Sequence, residues 1–281
     1  MLPQTERYLD LARPGRNAWW RYVLGAVTIV FFWVLGQLPY FLLVGAGAEP
    51  GALMAFVAVN FSIFMMLAGL AVTVGFLHRR PLLSLVSPDR RIDWRRMARG
   101  AGAWLVIAAA VTVLEHLLYP GRYYLSWAPG PFFAFLAAVL VLTPIQCAVE
   151  ELVFRGYALQ AFGLLTRQPL AIAAASSLVF TLPHLLNPEV HQHGVLLMAA
   201  NYFAIGMVLA MVTLRDGRLE LAIGLHAANN VFLALIANYE GSALRTESVF
   251  TATVLDPVYS LAALVAGGFF FHAWIFGRNP A

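Results

Sequence analysis

Three short polar strings interrupt an otherwise apolar chain, and their residue types suit acid–base chemistry. The first is Glu150-Glu151 followed by Arg155; the second runs from Phe180 to Pro183-His184; the third is His226-Ala227-Ala228-Asn229-Asn230. On a helix, Glu151 and Arg155 stand four residues apart and share a face, so they can pair. Glu150 is turned about 100° from Glu151 and can point elsewhere while its neighbour is neutralised. One carboxylate tied down and one available is the arrangement a general base needs. The alternative is an ion pair that locks the helix, with Glu150 bonded to a neighbouring helix.

His226 and Asn230 are also four apart. Both can donate to a carbonyl oxygen that becomes negative, as an oxyanion hole does; the alternative is polar glue between helices. Asn229 competes for the role but is turned away from His226. His184 follows Pro183, which predicts a kink there.

Other candidates read as structural. Glu115 and His116 fall at the end of an apolar run. His191 and His193 flank Gln192 in a short loop, His272 has no polar companion, and Asn201 and Tyr202 are candidates to line a cavity that the sequence does not place. Cys147 is the only cysteine, which excludes a disulfide scaffold, and in an apolar setting it is a small buried hydrophobe rather than a nucleophile.

The elements that must position these groups are membrane helices. Of 281 residues, 61% are hydrophobic and 11% charged, whereas soluble domains have about 45–50% and about 25%. A crossing takes about 20 apolar residues. Eight runs qualify, at about 22–44, 52–77, 101–119, 131–152, 169–187, 194–214, 219–238 and 257–276. The first is longer than the core of a secretory signal and is read as a mature helix. The expected fold is an all-α polytopic membrane protein, a single domain over residues 1–281, built as a bundle of about eight transmembrane helices with an internal polar cavity. Ionisable groups inside such a bundle are functional candidates by default.

All 18 basic residues are arginine. Fifteen of them, including seven from Arg79 to Arg99, fall on one side of these spans, and only Arg122 and Arg245 on the other. Positive-inside counting therefore predicts cytoplasmic termini. The charge serves topology and lipid contact, so no nucleic-acid partner is expected. The stretch 89–99 reads as a solvated basic loop or a short interfacial helix. At about 1.5 Å per residue, Glu150 and His226 come out near the cytoplasmic ends of their spans, with His184 at or beyond the midplane. Bends at Pro144 and Pro183 would have to bring them together, in a cavity opening toward the cytoplasm.

The absences narrow the chemistry. There is no His-Glu-x-x-His zinc motif. The five aspartates lie in loops or at span edges, and Ser176 and Ser177 lack flanking glycines. Glutamate, histidine, asparagine and water remain. The residues alone do not choose between a protease, a transporter and a membrane scaffold.

The order Glu150-Glu151-x-x-x-Arg155, Phe180-x-x-x-His184, His226-x-x-x-Asn230 on successive helices resembles the CAAX-processing and bacteriocin-processing (Abi) membrane protease family, which includes the type II CAAX prenyl endopeptidases. The match spans about residues 131–240. The resemblance implies a glutamate intramembrane endopeptidase acting on a membrane-associated or lipid-linked peptide or protein. Glu150, assisted by His184, would activate water; Glu151 and Arg155 would organise the site; His226 and Asn230 would stabilise the oxyanion. No cofactor is expected; the alternative is zinc held by Glu150, His184 and His226. The arginine- and alanine-rich composition suggests a GC-rich bacterial genome, hence a bacterial inner membrane.

Overall fold

The structure is a computed structural model that describes residues 1–243 and 246–277. Arg245 and Arg278, counted above for orientation, lie outside the described residues. The described chain forms ten helices when uninterrupted segments are joined: α1 (Pro3–Leu9), α2 (Trp19–Gly45), α3 (Ala52–Leu77), α4 (Trp94–Leu118), α5 (Pro129–Leu165), α6 (Pro169–His184), α7 (Pro188–His193), α8 (Val195–Asp216), α9 (Glu220–Leu235) and α10 (Pro257–Phe276). Six of them (α2, α3, α4, α5, α8 and α10) are long and apolar enough to cross a membrane. The protein is an all-α polytopic membrane protein. The eight expected spans map onto these six and onto the shorter α6 and α9; α1 and α7 are additional and short.

Helices dominate because a lipid-facing backbone must satisfy its own hydrogen bonds. Large apolar side chains such as Val27, Phe31 and Val34 on α2 lie exposed, as a lipid-facing surface requires. At about 1.5 Å per residue, the 16 residues of α6 or of α9 reach only about 24 Å. That is short of an approximately 30 Å hydrocarbon core. Helix α9 instead lies inside the protein, packed on α4 and α5, while α6 packs on α8.

Two corrections to the expected elements follow. Helix α4 starts at Trp94, with Asp93 accepting from the backbone N–H groups of Arg95 and Arg96. Trp94 and Met97 thus open a long helix rather than an interfacial one, because an aspartate cap there satisfies its first turn. Pro183 does not kink α6. It lies in the last turn, and the helix ends one residue later at His184.

Polar contacts gather the arginine-rich segments at one end. Thr5 donates to the Leu214 carbonyl at 2.5 Å, Arg167 pairs with Asp10 at 2.6 Å, and Arg218 pairs with Asp89 at 2.5 Å. Arg99 reaches the Ile275 carbonyl at 3.2 Å, which brings the end of α10 to the same side. At the other end, three short strands, β1 (Tyr123–Leu125), β2 (Ala237–Tyr239) and β3 (Phe250–Ala252), form a sheet in the order β1-β3-β2. The β1/β3 pair is antiparallel and β2/β3 parallel. Between the ends, one apolar cluster joins Leu70, Val149, Val153 and Phe180, and another joins Trp104, Leu209, Leu225 and Phe271.

Candidate active site

Helix α5 carries the first motif, and its backbone is not regular there. Residues Leu152–Ala158 form a π segment directly after Glu151. Such bulges are rare and concentrate at functional sites. The widened turn offers its carbonyls to side chains from elsewhere. Ser176 Oγ donates to the Phe154 carbonyl at 2.8 Å, and the Tyr8 hydroxyl is shared between the Leu85 carbonyl at 2.6 Å and the Arg155 carbonyl at 3.1 Å. Burial pushes the Tyr8 phenol well above its ordinary pKa, so it remains a donor.

The helix also runs on to Leu165, well past the expected end at 152. Glu150 stands 21 residues from Pro129 and 15 from Leu165, so it lies within the helix rather than at its end. The reason is that Glu151 and Arg155 cancel each other inside the fold, so charge does not mark the end of the helix.

Glu151 and Arg155 are both fully buried and pair at 2.9 Å. The guanidinium stacks 4.2 Å over the Phe180 ring and donates to the Gly206 carbonyl at 3.3 Å. Glu151 Oε1 takes a second bond, 2.8 Å from His226 Nδ1. A carboxylate only accepts, so Nδ1 carries the proton and the ring is oriented by its acidic partner. His226 Nε2 then lies 3.4 Å from Asn230 Nδ2 and 3.8 Å from Glu150 Oε2.

Glu150 is held differently. Gln146 Nε2 donates to its Oε1 at 3.1 Å, and the other carboxylate oxygen has only the longer 3.8 Å contact with His226 Nε2. The two adjacent carboxylates therefore have separate environments, one locked by a guanidinium and an imidazole, the other steadied by an amide.

His184 closes the α6 side. Its Nδ1 lies 2.7 Å from the Phe180 carbonyl. A carbonyl accepts, so Nδ1 donates, and Nε2 carries the lone pair of the neutral ring. Phe180 at 4.3 Å and Tyr202 at 4.9 Å flank the imidazole, and Phe180 meets His226 edge-on at 6.2 Å. His184 lies within electrostatic reach of Glu150.

The structure thus brings Glu150, Glu151, Arg155, His226 and Asn230 into one bonded cluster, with His184 joined through Phe180. Among the described residues no three His, Cys, Asp or Glu side chains form a group able to hold a metal. Cys147 is fully buried beside His226. Glu115 takes Arg122 at 2.8 Å and the Tyr123 hydroxyl at 2.7 Å, a tie at the end of α4.

Two participants are absent from the sequence-based candidates. Gln146 stands one turn before Glu150, a spacing that could have found it. Trp104 gives no such signal, because it reaches Asn229 from another helix. Tyr202, a candidate without a site in the sequence, flanks His184.

Residues 129–232, from the start of α5 almost to the end of α9, match the family model described as "Type II CAAX prenyl endopeptidase Rce1-like". That stretch contains all seven motif residues from Glu150 to Asn230. A Bacillus subtilis (strain 168) protein, "Uncharacterized protein YyaK", is 30% identical over 268 residues, covering 90% of this chain and 89% of its own length. No solved structure matches significantly.

Proposed function

Because the chain belongs to the Rce1-like type II CAAX prenyl endopeptidase family, we propose that it is an intramembrane endopeptidase in which Glu150 is the base that activates water. The observation that carries this reading is the asymmetry of the glutamate pair: Arg155 and His226 bond Glu151 at 2.9 and 2.8 Å, whereas Glu150 accepts from the Gln146 amide and has His226 Nε2 only at 3.8 Å. Glu150 accepts a proton from water, and the hydroxide attacks a peptide carbonyl. His184, with its Nε2 lone pair, supports the same proton transfer. Asn230 Nδ2 and, when its Nε2 is protonated, His226 donate to the oxygen that gains the negative charge. The tetrahedral centre collapses, the C–N bond breaks, and the proton passes to the leaving amine. A water nucleophile needs no acyl-enzyme. No step requires a metal.

The substrate is a membrane-associated or lipid-linked peptide or protein. The setting is a bacterial inner membrane with both termini cytoplasmic, which the arginine asymmetry supports.

The test compares peptide termini in host cells expressing wild type or Glu150→Gln at equal levels. Termini that appear only with wild type are the expected result. Identical termini, with both proteins folded and abundant, would overturn the protease reading in favour of a scaffold or transport role.

A further inference from the structure

Trp104 lies on α4 and outside every motif, yet it ends a chain of hydrogen bonds that leads into the site. It is buried, and its Nε1–H donates to Asn229 Oδ1 at 3.1 Å. Asn229 Nδ2 donates to Asn230 Oδ1 at 3.1 Å. Asn230 Nδ2 faces His226 Nε2 at 3.4 Å, and His226 Nδ1 donates to Glu151 at 2.8 Å. An indole can only donate and a carboxylate can only accept. The two ends therefore set the direction of every bond between them. The Asn229 oxygen must face the indole, its amide nitrogen must face the Asn230 oxygen, and the Asn230 amide nitrogen must face the site.

Without that constraint an amide turns over readily and would present oxygen where a developing oxyanion needs a donor. The helices are brought close enough for this contact at Gly224, where a Cβ would collide with the Met97 carbonyl of α4. We infer that Trp104 and Asn229 are positioning residues that fix the amide of Asn230 with its N–H groups toward the reacting carbonyl. The inference rests on the oxyanion role proposed above for Asn230.

The experiment uses purified full-length protein and a farnesylated peptide ending in a CAAX sequence, with fluorophore and quencher on either side of the scissile bond. Trp104→Phe keeps an aromatic ring in the core and removes only the donor; Asn229→Leu removes both of its bonds. Each should lower kcat about tenfold or more with KM within about twofold, since the interaction is made with the transition state. In an Asn230→Ala background, neither should lower kcat further. If Asn230→Ala costs activity and Trp104→Phe adds its full loss on top, the positioning inference fails while the oxyanion reading stands. If Asn230→Ala leaves kcat unchanged, that reading fails and takes the inference with it. Should wild type leave this peptide intact, the indole ¹⁵N–H signal of Trp104 decides. Protection from exchange that Asn229→Leu abolishes supports the bonded chain, and equal exchange in both proteins overturns it.

Discussion

Helices α2 and α9 are both apolar, but they solve opposite problems. Of the 27 residues of α2, only Gly25, Ile29 and Gly36 are buried, and large side chains such as Val27, Phe31 and Val34 are exposed on the face away from α3. Of the 16 residues of α9, 11 are buried, and His226, Asn229 and Asn230 sit among them or beside them. The first helix is long because it must cross lipid; the second is short because protein surrounds it. A polar side chain on α2 would meet hydrocarbon, whereas on α9 it meets partners from α4 and α5. The His226 and Asn230 part of the site is thus placed on a helix that does not need to be a good membrane helix by itself.

The largest effect that sharpens this contrast is at the buried ion pair. Arg155→Met keeps much of the side-chain volume but leaves Glu151 buried without its guanidinium. Removing one partner of such a pair costs about 3–5 kcal/mol, which for a chain of this size lowers the unfolding midpoint by on the order of 10 °C. Glu150→Gln leaves the Glu151–Arg155 pair intact and loses only the 3.8 Å contact with His226, so it should leave the midpoint almost where it was while ending activity. Scanning fluorimetry of both variants in detergent checks this. Equal midpoints would mean that the two glutamates are not differently held, and the assignment of Glu150 as the available carboxylate would fall.

The same contrast explains what the sequence revealed. The lipid-facing helices were legible, with α2, α3 and α10 found to within a few residues, because lipid imposes length and hydropathy on each helix separately. The motif residues were legible because ionisable groups are rare enough in such a chain to stand out. What was not legible depended on other helices. Charge at Glu150 and Glu151 looked like the end of a span, yet Arg155 neutralises Glu151 inside the fold and α5 continues to Leu165. The π segment after Glu151 has no signature in residue type, since its carbonyls are served by Ser176 and Tyr8 from elsewhere in the chain. Trp104 looked like one more apolar residue until Asn229 was seen opposite its nitrogen.

A pair of glycines tests whether close packing matters equally in the two regions. A Cβ on Gly36 of α2 would lie 2.7 Å from the Ser62 Cα of α3, and one on Gly224 of α9 would strike the Met97 carbonyl. Both obstacles are backbone, so Gly36→Ala and Gly224→Ala should each destabilise by about 1–3 kcal/mol. Their effects on turnover should diverge. Gly224→Ala pushes α9 from α4 and stretches the bond from Trp104 to Asn229, so kcat falls. Gly36→Ala separates helices that carry no site residue, so kcat per folded molecule stays near wild type. Equal losses of kcat would show that the α2–α3 pair is mechanically part of the site, and the division drawn here would have to be abandoned.

The smallest effect concerns the outer face of α2. Val27 is 59% exposed in the single chain. If lipid covers that face, Val27→Leu exchanges one apolar contact with fluid hydrocarbon for a slightly larger one, and stability should stay within about 0.5 kcal/mol of wild type. Lipid chains adjust to an added methylene; packed protein does not, because interiors are filled close to the density of organic crystals. Thermal unfolding of Val27→Leu in lipid nanodiscs separates the two cases. A midpoint near wild type keeps α2 as a lipid-facing helix. A loss comparable to that of Gly36→Ala would mean that the face is packed against a second protein surface, and the exposure of α2 would then describe an interface between chains.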